Sequence, residues 1–173
     1  MTQTSAPIIK STIINGKISI RFDIVYFLII TNYQLSHLMN SSKMLSGSSF
    51  LPHENPQKLI FMLHGYGDSA ENFIHIASLL DLLDFKANYF ALNAPSTIPN
   101  YLLGRQWFDL NPNGIYIGDA GPREIKIIQL EILRVNKMLE NTIKTTMDTY
   151  KLSYKDCFLL GFSQGGMMTF EFG

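Results

Sequence analysis

Of the 173 residues, 46% are apolar and 16% charged, a balance that supplies one buried core and argues against a disordered chain. Fourteen basic side chains offset fourteen acidic ones, so no net field selects nucleic acid or anionic lipid, and small neutral or apolar ligands suit the chain better. The strongest membrane candidate, "DIVYFLIITNYQ", holds about seven unbroken apolar residues against the ~20 of a spanning helix, and it has neither the position nor the small-residue cleavage site of a signal peptide.

From Met1 to about Lys43 the chain is rich in Ser, Thr, Asn and Ile. Here "TIINGKISI" alternates about Asn15-Gly16, the signal for a tight hairpin. "MLSGSSFLPHENPQK" reads as a linker, so the expected organisation is an N-terminal extension over 1–43 and a domain over 44–173. The extension is either an added hairpin or upstream sequence translated from an early start.

Beyond the linker, "KLIFML" has the continuous apolar run of a buried strand. Asp68 and Glu71 then stand three apart, as in a reciprocal cap, before Phe73, Ile76, Ala77, Leu80 and Leu83 at helical spacing. "ANYFALN" is a second strand, closed by "APSTIP". Pro122 opens a helix with Ile128, Ile132, Val135, Leu139, Ile143 and Met147 on one stripe, and "DCFLLGF" is a third strand. The alternation predicts an α/β fold, a parallel sheet with flanking helices and right-handed crossovers, with chemistry at the carboxyl ends of the strands. The single cysteine, Cys157, lies in an apolar run, fits a structural role better than a nucleophilic one, and agrees with a reducing cytoplasm.

The third strand ends in "GFSQG", where Gly161, Ser163 and Gly165 fit the G-x-S-x-G turn, whose glycines admit the backbone where larger side chains collide. A phosphate loop is excluded because no Lys follows. A serine needs donors where a carbonyl oxygen turns negative, and "LHGYGDS" follows the first strand, so the N–H groups of Tyr66 and Gln164 can face one hole. The plainer alternative is a turn at Gly65 and Gly67 with His64 held locally.

"LIFMLHGYGDSAENF", "APSTIP", "QWFDL" and "GFSQGGMM", in that order, resemble the carboxylesterase and phospholipase branch of the α/β-hydrolases, which includes the acyl-protein thioesterases. The likeness runs from about Met44 to Gly173. It implies a serine hydrolase of carboxylic esters or thioesters, acting on a small-molecule or acyl ester substrate with no metal and no cofactor. It also implies Ser163 as nucleophile, with Tyr66 and Gln164 as backbone oxyanion donors. Trp107, Phe108 and Asp109 match a stretch near the family's substrate cleft; without the family they read as two core aromatics and a loop residue.

That fold orders its triad Ser, Asp, His along the chain. His37, His53, His64 and His75 all precede Ser163, and the carboxylate after it is Glu171. The expectation is a partial α/β-hydrolase lacking C-terminal strands, an inactive fragment whose third strand becomes an exposed edge open to self-association. Half of a split esterase and a non-catalytic binding module are the alternatives.

Overall fold

The computed structural model describes the backbone of 10–14 and 17–21 and all of 43–173 apart from the Leu102 side chain. The chain falls into two compact units, residues 1–35 and 36–173. In the first, β1 (Lys10–Ile14) and β2 (Lys17–Arg21) pair antiparallel, with Ile14 opposite Lys17. Asn15 and Gly16, where the sequence put the turn, lie outside the described residues.

The second unit is built on a four-stranded sheet. Its strands are β3 (Gly47–Phe50), β4 (Lys58–Leu63), β5 (Ala87–Leu92) and β8 (Cys157–Gly161), in the spatial order β3-β5-β4-β8. The expected parallel sheet is corrected to a mixed one. β4, β5 and β8 are parallel, but β3 runs antiparallel along β5. β3 lies inside the stretch read as linker: Gly-Ser-Ser-Phe has little strand propensity of its own and takes its conformation from the edge it covers. Its approach is close, since a Cβ on Gly47 would stand 2.0 Å from the Ala91 carbonyl oxygen.

The central strands β4 and β5 are buried on both faces, which is why β4 reads as a continuous apolar run. Leu59, Phe61 and Leu63 point to one side and Ile60 and Met62 to the other. The first side packs on the long helix α3 (Pro122–Tyr150), through Ile128, Val135, Leu139, Ile143 and Met147 as the spacing predicts, and on Met168 of α4 (Gln164–Phe172). The second packs on α1 (Ala70–Phe73) and α2 (Ala77–Asp81) through Ala70, Phe73 and Ala77.

The single helix expected over this segment is interrupted by a 3-10 turn at Ile74–Ile76. Tighter winding there rotates the stripe, leaving Ile76 39% and Leu83 63% exposed while Phe73 and Ala77 stay buried. The expected cap differs as well. Asn93, just past β5, accepts from the Ala70 N–H at 2.9 Å and donates to the Glu71 carboxylate at 3.0 Å, while Asp68 accepts from the Ser69 N–H and the Asn72 side chain.

Between β5 and α3 lies a small antiparallel pair that periodicity did not signal, β6 (Ser96–Ile98) and β7 (Tyr101–Gln106). Connectivity then locates the crevice. From β4 the chain crosses to β5 on one side, then returns past β4 to β8 on the other, so right-handed crossovers put α1 and α3 on opposite faces. The loops leaving β4 and β8 diverge at their carboxyl ends, the switch point where open α/β sheets bind ligands. No helix among the described residues is long and apolar enough to cross a membrane.

Candidate active site

At the carboxyl end of β8 the chain turns from strand to helix within two residues. Ser163, at the turn, has φ 51° and ψ −117°, a conformation that a residue with a Cβ adopts only under restraint from its surroundings. The restraint is close packing at the flanking glycines. A Cβ on Gly161 would lie 2.3 Å from the Gly165 carbonyl oxygen, and one on Gly165 would lie 2.1 Å from that of Leu63. The helix therefore starts against the backbone of β4, and the Phe162 N–H donates to the Leu63 carbonyl at 3.0 Å. Ser163 is left exposed, and among the described residues its hydroxyl makes no hydrogen bond.

The loop after β4 meets this turn. A Cβ on Gly65 would lie 3.5 Å from the Cβ of Ser163. Gly67, at φ 83°, bends the loop away, and its N–H donates to the Arg105 carbonyl at 2.9 Å while the Arg105 N–H donates to Asp68 at 3.2 Å. Tyr66 sits between the two glycines, half-exposed. The N–H of Gln164, first residue of α4, has no intrahelical partner, and at a helix N-terminus it carries part of the positive end of the dipole. Serine, loop and helix N-terminus thus meet at the carboxyl ends of β4 and β8.

His64 is fully buried and fully used. Its Nδ1 is 2.7 Å from the Gly65 carbonyl, and its Nε2 accepts from the Ala94 N–H at 3.1 Å. That pair of bonds requires the neutral ring protonated at Nδ1. Burial is the main influence on it and lowers its pKa, outweighing the Gly65 hydrogen bond and the Asp68 carboxylate. With both nitrogens engaged, it has none for the serine. His75 lies on the 3-10 turn beyond α1, His53 holds the β3–β4 connection to Asn88, and His37 lies outside the described residues. Glu171, near the end of α4, is exposed. Burial pushes the Cys157 thiol up to about 11, which keeps it protonated at neutral pH.

Trp107 and Phe108 are core side chains, with 0% and 1% exposure, and Asp109 is half-buried. Their backbone is what reaches the crevice. The Trp107 N–H donates to Gln164 Oε1 at 2.9 Å, and Gln164 Nε2 donates to the Phe108 carbonyl at 2.7 Å. The Trp107 indole N–H donates to the His64 carbonyl at 2.8 Å, and the Asp109 N–H to Glu131 of α3 at 2.7 Å. The serine, the glycines and the two loops that the sequence singled out lie together at the carboxyl ends of β4 and β8. Sequence reasoning missed Asn93 and Arg105, which fasten the loop after β4, and the work of the Gln164 side chain, because each acts between segments distant in sequence.

Residues 50–173 match the phospholipase/carboxylesterase family. Among solved structures, esterase PE8 superimposes with a TM-score of 0.63 at 24% identity, over 76% of this chain and 58% of that one, and shares its fold. A phospholipase/carboxylesterase from Dyadobacter fermentans matches at a TM-score of 0.48 and 17% identity, over 75% of this chain and 54% of that one. The chain thus spans little more than half the length of either structure.

Proposed function

From the premise that this chain belongs to the phospholipase/carboxylesterase family, we propose that it carries the nucleophile and the oxyanion donors of a carboxylic ester hydrolase, with thioesters within reach of the same chemistry. The observation that carries the proposal is the strained Ser163 between β8 and α4, with the Gly65 loop against it.

In this reading the Ser163 Oγ attacks the carbonyl carbon of the ester. Its proton passes to a base, and the carbonyl electrons move onto oxygen. The N–H groups of Tyr66 and Gln164 hold that oxyanion, the contribution for which loss of one donor typically costs 10²–10³ in rate. Collapse expels the alcohol or thiol, leaves an acyl-Ser163 ester, and water repeats the sequence to release the acid. No described histidine is placed as the base, since His64 is spent inside the loop. The proposal therefore assigns base and orienting carboxylate to residues outside the described ones, and by these residues alone turnover stays near background.

The test is to add in trans the part of esterase PE8 that this chain does not match and to follow hydrolysis of p-nitrophenyl butyrate. Activity above that of either piece, lost in Ser163→Ala, is expected. A folded complex without serine-dependent hydrolysis would leave the non-catalytic binding module as the better reading. Activity restored by another chain of the source cell, with no added segment, would favour a split esterase.

A further inference from the structure

Gln164 directs its main chain and its side chain to different partners. The N–H belongs to the helix N-terminus beside Ser163. The carboxamide, on a residue only 2% exposed, is divided between two backbone groups of another segment: it accepts from Trp107 N–H at 2.9 Å and donates to the Phe108 carbonyl at 2.7 Å. Trp107 continues the connection through its indole N–H, which donates to the His64 carbonyl at 2.8 Å. His64 is two residues before Tyr66, and its ring is fixed at both nitrogens. The two candidate oxyanion donors are therefore the ends of one linked path: Gln164, Trp107, His64, Gly65, Tyr66.

We propose that the Gln164 carboxamide is a positioning residue for the oxyanion site: through Trp107 it sets the separation between its own N–H and that of Tyr66. This rests on the reading of Ser163 as nucleophile. Stabilisation of an oxyanion requires both donors within about 2.7–3.1 Å of one point. Packing alone holds a loop less tightly than that, whereas a planar amide with both ends bonded fixes distance and orientation together. An apolar side chain of the same length would fill the same volume. It would leave the Trp107 N–H and the Phe108 carbonyl buried without partners and free to drift.

The test uses the 173-residue chain, ¹⁵N-labelled, as wild type, Gln164→Met and Gln164→Glu. Two signals are read: exchange of the Trp107 backbone amide and indole protons, and the downfield movement of the Tyr66 and Gln164 amides when a fluorophosphonate forms its phosphonyl ester at Ser163 with loss of fluoride. In wild type both amides move together. In Gln164→Met, exchange of the Trp107 backbone amide speeds up about tenfold, as expected for one lost hydrogen bond, and the Tyr66 movement shrinks, while the amides of Phe61 and Tyr89 in the core exchange as before. In Gln164→Glu at pH 7.5 the carboxylate still accepts from the Trp107 N–H but meets the Phe108 carbonyl as a second acceptor, so the Tyr66 movement shrinks while the Trp107 amide stays protected. The variant recovers the wild-type movement at pH 5, where burial favours the protonated carboxyl that both accepts and donates. Wild-type behaviour of Gln164→Met overturns the proposal, as does a loss in Gln164→Glu that pH 5 does not restore or that spreads to the core amides. A wild-type chain that takes no phosphonate refutes the nucleophile reading alone, and the exchange data then decide the positioning by themselves.

Discussion

Replacing Gly165 by alanine tests whether helix α4 begins as close to β4 as the structure has it. The added Cβ would stand 2.1 Å from the Leu63 carbonyl oxygen and 2.6 Å from that of His64. Both are backbone atoms, so no side chain can swing aside. Bringing the contact out to an ordinary van der Waals distance of 3.4 Å or more requires the helix to retreat by more than 1 Å. Overpacking of this kind costs about 3 kcal/mol. Loss of the Phe162 N–H bond to Leu63, 3.0 Å long, adds about 1 kcal/mol, and the better helix propensity of alanine returns about 1 kcal/mol. The net is about 3 kcal/mol, or roughly 1–2 M in the urea midpoint at a slope of about 2 kcal/mol/M. Gly166→Ala is the matched control: its Cβ meets only the Gly161 carbonyl, at 3.3 Å, so propensity and crowding nearly cancel and the midpoint moves by less than about 0.5 M. Equal midpoints for the two variants would refute the close approach, and with it the reason for a glycine two residues after the serine.

His64, lowered by burial, binds its proton more weakly folded than unfolded. Its contribution to stability is complete above the unfolded value of about 6.5 and drains away as pH falls from there toward the native value, by at most about 1.4 kcal/mol per pH unit. The midpoint of thermal unfolding should fall between pH 7.5 and 5.5 in wild type and less steeply in His64→Gln; parallel slopes would contradict the buried neutral ring. Cys157, whose thiol burial pushes up from its ordinary 9.0 to about 11, should react with iodoacetamide at pH 8 about 100-fold more slowly folded than in urea, and equal rates would place it in solvent. Among the described residues β8 is an edge of the sheet, with Phe158 48% and Phe162 66% exposed. Sedimentation at micromolar concentration should therefore show self-association that Phe158→Lys reduces, and a monomer throughout would count against an adhesive edge.

Sequence periodicity located β4, β5, β8 and the stripe of α3 because each buries a continuous face, and burial is what periodicity records. It missed β3 and the pair β6 and β7. Gly-Ser-Ser-Phe and Ser-Thr-Ile are too short and too polar to signal a strand, and they owe their extension to a neighbour's hydrogen bonds. The helix after β4 was placed correctly but its facing residues only in part, since a 3-10 turn breaks the 3.6-residue period between Phe73 and Ala77. At the site, Ser163 and its glycines were legible because backbone crowding forces residue types at fixed spacing. The Gln164 fork was not, because its partners lie more than fifty residues upstream and are backbone atoms that any residue type supplies.

The central claim is that the fold makes Ser163 a nucleophile site, and the most direct measurement is to map where a fluorophosphonate attaches. The folded chain should be modified at Ser163 at least ~10²-fold faster than at any other serine, because backbone donors accelerate attack in their own right. That preference should vanish in 8 M urea. Modification spread over several serines, or equally fast at Ser163 in urea, would contradict the account.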